Sequence, residues 1–481
     1  MQDMSFYWHD YETFGRVPRR DRPTQFAGVR TDLDLNEVGE PLMIYCQPPT
    51  DNLPDPEACL LTGILPQDCA ERGLPEHEFA AAIEDQLARP GTVGLGYNTI
   101  RFDDEVTRFL LWRNLRDPYA REWQNGCGRW DLLDVVRCAY ALRPDGIQWP
   151  QHEDGRPSFK LEHLTVANGL THEAAHDALS DVRATIALAR LIKTAQPKLW
   201  DFCLKLRKKE AVWAEIGAGN KPFLHISGMY PPERGCIALV WPLAPHPTNK
   251  NELIVWDCTE NPAELLTLNA ETIRQRMFTK QAELPEGVTR LPIKSIHVNK
   301  SPVVIANLKT LSPAMAERWG LDMEQALLNA QQLEQQGHLL AGLWGEVFKR
   351  PGDGAPVDVD EDLYGGFIAP DDRRALQRLL ALSPEQLADR AAQGKLTFQD
   401  ERLEELVFRW RARNFPASLS GEEQQRWTSH CAARLHGGEG GALTLSSFFE
   451  QVDALSEQAD ERGQAILGAL YDWAEQIAPP A

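Results

Sequence analysis

The chain has 481 residues, enough for two or three domains with separate cores, and its 43% hydrophobic and 25% charged residues are those of an ordered globular protein. No apolar run approaches the ~20 residues needed to cross a bilayer, and the amino-terminal residues, with Asp3, Asp10 and Glu12 and no charged-then-apolar leader, show no secretory signal. A formal net charge of −20 excludes a nucleic-acid binder that works by bulk attraction, so any phosphate contacts must come from local clusters of Lys and Arg.

Taken in chain order, the aromatic run Ser5 to Asp10 predicts a buried strand. Further strands are expected at Gln25 to Thr31, Leu42 to Cys46 and Thr92 to Tyr97. Val106, Phe109, Leu110 and Trp112 recur at helical spacing and predict a helix from Asp104 to Leu115. Ala178, Val182, Ile186 and Ala189 predict another, from about His176 to Ile192. Strands first and helices interleaved later describe an α/β domain ending near Gln196.

From Lys198 to Pro351, prolines and glycines punctuate short β-like runs at Phe223 to Ser227, Ile237 to Trp241 and Leu253 to Trp256. That texture fits a small barrel or sandwich with helical insertions. A linker is expected over Arg350 to Val359. Helices follow at Asp371 to Leu382, Pro384 to Gln393, Asp400 to Arg413, Glu422 to Leu435 and, in one piece or more, Thr444 to Ile477. The nine cysteines stand singly without a CxxC pair, which argues against zinc-knuckle or thioredoxin-like sites and suits core-filling thiols in a reducing cytoplasm.

Three acidic pieces carry the chemistry. Asp10 and Glu12 flank Tyr11, so strand alternation points both carboxylates to one face, where they repel unless a cation or proton sits between them. The apolar approach Phe6-Tyr7-Trp8 places that pair at the mouth of a buried strand, although such pairs are also common on solvated strands. Asn98-Thr99-Ile100-Arg101-Phe102-Asp103 puts Asp103 where a strand hands over to a helix, a position that helix capping by Asp103 or Asp104 also explains. His176 and Asp181 lie five residues apart at the start of a helix, where each alone has an ordinary structural reading. Basic clusters occur at Arg16, Arg19, Arg20 and Arg22, at Arg108, Arg113, Arg116, Arg121 and Arg129, and at Lys205, Arg207, Lys208 and Lys209. Each fits a local phosphate groove or a solvated face equally well.

Together the three pieces resemble the DEDDh branch of the DEDD, or DnaQ-like, 3′–5′ exonuclease superfamily. Asp10 and Glu12 match its first motif, Asn98 to Asp103 its second, and His176 with Asp181 its third. The wording His9 to Gly15, Arg101 to Arg108 and Arg129 to Asp134 is similar to the bacterial exodeoxyribonuclease I family. So are Ser158 to Thr165, His225 to Met229, Leu363 to Phe367, Arg411 to Pro416 and Glu423 to Trp427, so the likeness covers nearly the whole chain.

That resemblance implies an RNase H-like exonuclease domain at residues 1–196, an SH3-like β-barrel domain with helical insertions at 197–351 and a C-terminal α-helical domain at 352–481. It implies a cytoplasmic, monomeric phosphodiester hydrolase, active in DNA repair and recombination, that degrades single-stranded DNA processively from the 3′ end to 5′-mononucleotides. Two Mg²⁺ ions about 4 Å apart, with Mn²⁺ as a substitute, would serve the hydrolysis. Asp10, Glu12 and Asp181 would hold the first ion, Asp10 would bridge to the second with Asp103 in support, and His176 would act as general base.

The implied DNA contacts are Glu12, Arg108, Tyr119, Trp123, Arg137, Lys160, Lys294, Asn299, Tyr364 and Phe367, mixing positive charge with stacking surfaces. Lys160 departs from an expected arginine and so lacks the bidentate fork. Arg143 and Phe202 are the candidates for docking the acidic C-terminal tail of single-stranded DNA-binding protein. The rivals are a DEDDh exoribonuclease or proofreading-type nuclease, usually little more than the first domain, and a non-catalytic DNA-binding scaffold. The long matching remainder of the chain counts against the former, and five intact motif residues against the latter.

Overall fold

Phe6, Tyr7, Trp8 and Tyr11 are all buried, and this run builds the centre of the first sheet. The computed structural model describes residues 4–170, 177–349 and 357–480. In it β1 (Ser5–Thr13) pairs antiparallel with β2 (Pro23–Thr31) and parallel with β4 (Thr92–Leu95), while β3 (Leu42–Tyr45) pairs with the far side of β2. Tyr7 and Tyr11 enter a cluster with Phe26, Phe79 and Ile83, so the alternate residues Trp8, Asp10 and Glu12 face the opposite side. The expected strand stops short of the observed one, because the ladder to β2 carries β1 past Asp10 to a register shift between Glu12 and Thr13. The carboxylate pair therefore sits on a hydrogen-bonded, rigid backbone.

The chain divides into two compact units. The first draws on residues 1–128, 173–183 and 354–481, the second on 129–172 and 184–353. The two-residue strand β5 (Gly128–Arg129) lies at the boundary. In the first unit the helices Leu445–Ser456 and Glu461–Ile477, capped by Thr444 and Asp460, close over the amino-terminal segment. Their Phe448, Leu467 and Leu470 share one apolar cluster with Phe14, Leu53, Cys59 and Cys69. Capping boxes at Ser383 with Gln386 and Ser420 with Glu423 start the Pro384–Ala392 and Gly421–Leu435 helices close to where the sequence places them.

The second unit holds an antiparallel sheet in the order β10–β6–β7–β8–β9, formed by β6 (Phe223–Ile226), β7 (Ile237–Pro245), β8 (Glu252–Asp257), β9 (Ile293–His297) and β10 (Val303–Ile305). Pro242 cannot donate to the ladder, and the β7–β8 register shifts between Pro242 and Ala244. Val212 and Ile216 of the Lys209–Ile216 helix pack on Phe223, Val240, Val255 and Ile296 to form this unit's core.

All nine cysteines are free and all but Cys127 are buried, as core fillers should be. Among the described residues no helix is long and apolar enough to cross a membrane. The arginine clusters are less open than charge counting suggests. Arg22, Arg113, Arg121 and Arg129 are buried. Arg22 pairs with Asp360, Arg113 with Glu76 and Arg121 with Asp104. Arg19 and Arg20 both pair with Glu361. Most of these cations neutralise acids of their own unit and do not form a bare phosphate groove.

Candidate active site

The exit of β4 runs close against β1. A Cβ on Gly96 would lie 2.4 Å from the His9 carbonyl oxygen, so only glycine permits the approach. Asn98 then adopts φ 65°, a left-handed conformation that asparagine tolerates better than most residues. This turn delivers Asp103 as the first residue of the Asp103–Arg113 helix, with Phe102 in the cap position and without a side-chain cap bond. Oδ1 of Asp103 accepts instead from the Tyr11 backbone N–H at 3.0 Å, between the two carboxylates of β1. Thr107, one turn on, donates to the Asp103 carbonyl at 2.8 Å and shares a hydrogen bond with Tyr11 Oη at 3.0 Å. Asp104 accepts from Arg121 Nη2 at 2.7 Å, both side chains being buried. The capping account of this pair of aspartates therefore gives way to two separate anchoring roles. Sequence reading missed Thr107, although its position four residues after Asp103 on a helix is the signal for such a contact.

Asp10, Glu12 and Asp181 each place a carboxylate oxygen so that all three lie within 4.8 Å of one another. Burial first, and then the charges of Asp103, Glu12 and Asp181, push the Asp10 carboxyl well above the usual range. Burial likewise lifts Glu12 to about 8, reinforced by Asp181 and Asp103. Three crowded anionic oxygens are a poor resting arrangement for the protein alone and a suitable donor set for a hard divalent cation. Asp103 is buried and its charge is felt by both carboxyls of β1. His176 lies outside the described residues.

The remaining candidates fall on both units. In the first, Phe367 is 94% exposed, Trp123 67% and Tyr364 57%. These aromatic surfaces are open to stack on bases. Arg108 is buried, holding Glu122 through two bonds of 2.7 and 2.9 Å and Glu105 at 2.8 Å, and donating to Tyr364 Oη at 3.1 Å. Its guanidinium also lies over the Tyr119 ring. Tyr119 and Phe367 line one cavity of about 430 Å³ with Trp112 and Leu363. In the second unit Arg137 pairs with Asp134 at 2.7 Å, and the exposed Lys160 approaches Glu162 at 3.4 Å. Lys294 is half-buried on β9, and Asn299 accepts from Arg129 through its carbonyl. Arg143 and Phe202 line a single cavity with Leu142, Pro197, Leu199 and Ile305.

Comparison with known proteins agrees with this architecture. The family model described as Exonuclease matches residues 7–189, Exonuclease I SH3-like domain matches 207–350, and Exonuclease I C-terminal domain matches 357–477. Exodeoxyribonuclease I of Escherichia coli (strain K12) is 44% identical over 480 residues, covering 99% of this chain and 98% of the relative. The moderately thermophilic exonuclease I of Methylocaldum szegediense superposes with a TM-score of 0.93 at 46% identity, covering 98% of this chain and 99% of that one. The zinc-bound complex of E. coli exonuclease I with single-stranded DNA superposes with a TM-score of 0.92 at 42% identity, covering 99% and 100%. A mixed α/β exonuclease domain, an SH3-like domain with a curled sheet and a helical C-terminal domain thus follow one another along the chain, which belongs to the exodeoxyribonuclease I family.

Proposed function

We propose that this protein hydrolyses single-stranded DNA from its 3′ end, one nucleotide at a time and processively, leaving 5′-mononucleotides, as part of DNA repair and recombination in the cytoplasm. The observation that carries the reading is the convergence of Asp181, from a distant helix, onto the Asp10 and Glu12 pair of one strand, with Asp103 tied to the backbone N–H of Tyr11 between that pair. Asp10, Glu12 and Asp181 would hold a divalent cation such as Mg²⁺, and Asp10 with Asp103 would serve a second. Such ions supply water activation and stabilisation of the leaving oxygen.

The chain's own groups do the rest. Tyr11 N–H fixes the Asp103 carboxylate and Arg121 neutralises Asp104, and His176 is the residue that would take the proton of the attacking water. In the first unit Trp123, Tyr364 and Phe367 offer stacking surfaces to the strand, with Arg108 and Tyr119 beside them, and in the second Arg137, Lys160, Lys294 and Asn299 are the candidates for contacting it. Digestion of matched end-labelled single-stranded DNA, duplex DNA and RNA, with Mg²⁺, with Mn²⁺ and with chelator, tests this. The expected result is rapid mononucleotide release from the 3′ end of single-stranded DNA alone, abolished by chelator. Preferential degradation of RNA, or release from the 5′ end, would overturn it.

The cavity bordered by Arg143 and Phe202 supports docking of an acidic, apolar-ended peptide such as the tail of single-stranded DNA-binding protein, on a monomeric enzyme. Arg143 is exposed and basic, and Leu142, Pro197 and Ile305 supply the apolar wall. Arg143→Ala should weaken capture of the tail peptide about tenfold or more, because a charge-assisted contact contributes roughly 1.5–3 kcal/mol. Unchanged capture, measured by fluorescence anisotropy, would place the tail elsewhere.

A further inference from the structure

Gln25 is 1% exposed, on β2, directly opposite Glu12 in the β1–β2 ladder. Residues opposite one another share a face, so its side chain rises on the same side as the carboxylates of Asp10 and Glu12. The amide is engaged at both ends. Oε1 accepts from the Ala178 backbone N–H at 3.1 Å. Nε2 donates to Tyr45 Oη at 2.9 Å and to Asp177 Oδ1 at 3.4 Å. Its orientation is not interchangeable, because a backbone N–H can only donate and a carboxylate can only accept. The second oxygen of Asp177 accepts from Ser180 N–H at 3.1 Å, and its carbonyl accepts from Asp181 N–H at 3.0 Å. Asp177 thus organises the first turn of the Ala178–Ala195 helix, and Asp181 is the fourth residue of that helix.

We propose that Gln25 is a positioning residue that fixes the distance between Glu12 and Asp181, so that the carboxylate cluster is assembled before any cation enters. The inference rests on the proposed reading of that cluster as the metal and reaction centre. Two of the three clustered carboxylates reach each other along a short, rigid route: Glu12, the ladder to Gln25, the clamp on Asp177 and Ala178, and one helical turn to Asp181. A neutral amide suits this place for an electrostatic reason. Asp177 already adds to the negative charge felt by Asp10 and Glu12, so its carboxylate needs a donor that brings no further anion. A carboxylate in place of the amide would keep the Ala178 bond, lose the donor to Asp177 and set two anions against each other.

The test is a donor–acceptor swap on the full chain, read by calorimetric titration of Mg²⁺ into the DNA-free protein and by mononucleotide release from single-stranded DNA over a Mg²⁺ titration. Outer partners of metal ligands typically tune metal affinity or activity about 10–100-fold. Gln25→Glu is expected to lower kcat and raise the half-saturating Mg²⁺ concentration within that range, leaving KM for the oligonucleotide unchanged. Asp177→Asn, which faces one amide with another, is expected to do the same and stands as an independent reading if Gln25→Glu does not fold. The double variant restores a donor facing an acceptor and should recover to within about threefold of the parent, since contacting residues couple strongly. Asp10→Ala runs alongside. If it remains active, the reading of the centre itself fails. If it is inactive while both single variants keep the parent's kcat and Mg²⁺ dependence, or the double variant shows no recovery, the positioning role is wrong and the centre stands.

Discussion

Asp10→Asn should lower nucleotide release by about a thousandfold or more while leaving oligonucleotide binding intact. The basis is that metal-assisted charge stabilisation contributes several kcal/mol to such transition states and that each ~1.4 kcal/mol is a factor of ten in rate. Asparagine keeps the shape and removes the charge from a group that sits between Glu12, Asp103 and Asp181. The same change should stabilise the metal-free protein. In the absence of cations, unfolded Glu12 is ionised above its ordinary 4.5 whereas the folded one keeps its proton up to about 8, and Asp10 is raised in the same direction. The folded state therefore binds more protons, and the stability tied to these groups is full below about pH 4.5 and declines as the pH climbs through 8. In chelator at pH 8 the variant should melt at a higher temperature than the parent, with the gap closing towards acidic pH. Added Mg²⁺ should raise the parent's melting temperature much more than the variant's. Persistent Mg²⁺-dependent release by Asp10→Asn would remove Asp10 from the centre.

Arg413→Ala is the substitution expected to cost the fold most. Arg413 holds two acids at once, reaching Asp51 Oδ2 at 2.7 Å and Asp360 through both of its terminal nitrogens. Neither acid has water to fall back on, Asp51 being 0% and Asp360 3% exposed. Burial on its own would raise both carboxyls, yet Arg413 holds each well below the usual range, with His430, Arg22 and Arg434 helping at Asp51 and Arg22 and Arg409 at Asp360. Removing one partner of such a buried network strands the other and typically costs about 3–5 kcal/mol. Urea unfolding of the variant should show a loss of that size. Because the two acids are depressed, the parent's stability is present above their unfolded values near pH 4 and is lost as the pH falls further. The variant should show a shallower acid limb. A loss below about 1 kcal/mol would mean that the remaining arginines suffice.

The legible parts were those set by local pattern. The aromatic run into Asp10 and the 3.6-residue stripe of Ala178, Val182, Ile186 and Ala189 each predict an element that the structure contains. The resemblance of the three acidic motifs to the DEDDh pattern, not their spacing alone, singled out Asp10, Glu12 and Asp181, whose carboxylate oxygens lie within 4.8 Å of one another. What escaped depends on partners far away in the chain. The Thr444 to Ile477 stretch reads as helical, but its division at Asp460 and its landing on Phe14 and Leu53 are tertiary facts. Arg22, Arg113 and Arg121 read as surface charge because their acids lie in other segments. Gln25 carries no motif at all, and only the strand register shows that it stands opposite Glu12.

Phe14, two residues beyond Glu12, belongs to an apolar cluster completed by Ile466, Leu467 and Leu470. Translation emits the amino terminus first, at about 5–20 residues per second, so the seat of Phe14 stays unfilled for roughly 20–90 s after that residue is made. Over that interval the nascent chain carries the first acidic motif without the helices that brace it. Ribosome-bound intermediates of this nuclease should therefore be chaperone clients, and the finished fold should form only once the last helices have left the exit tunnel.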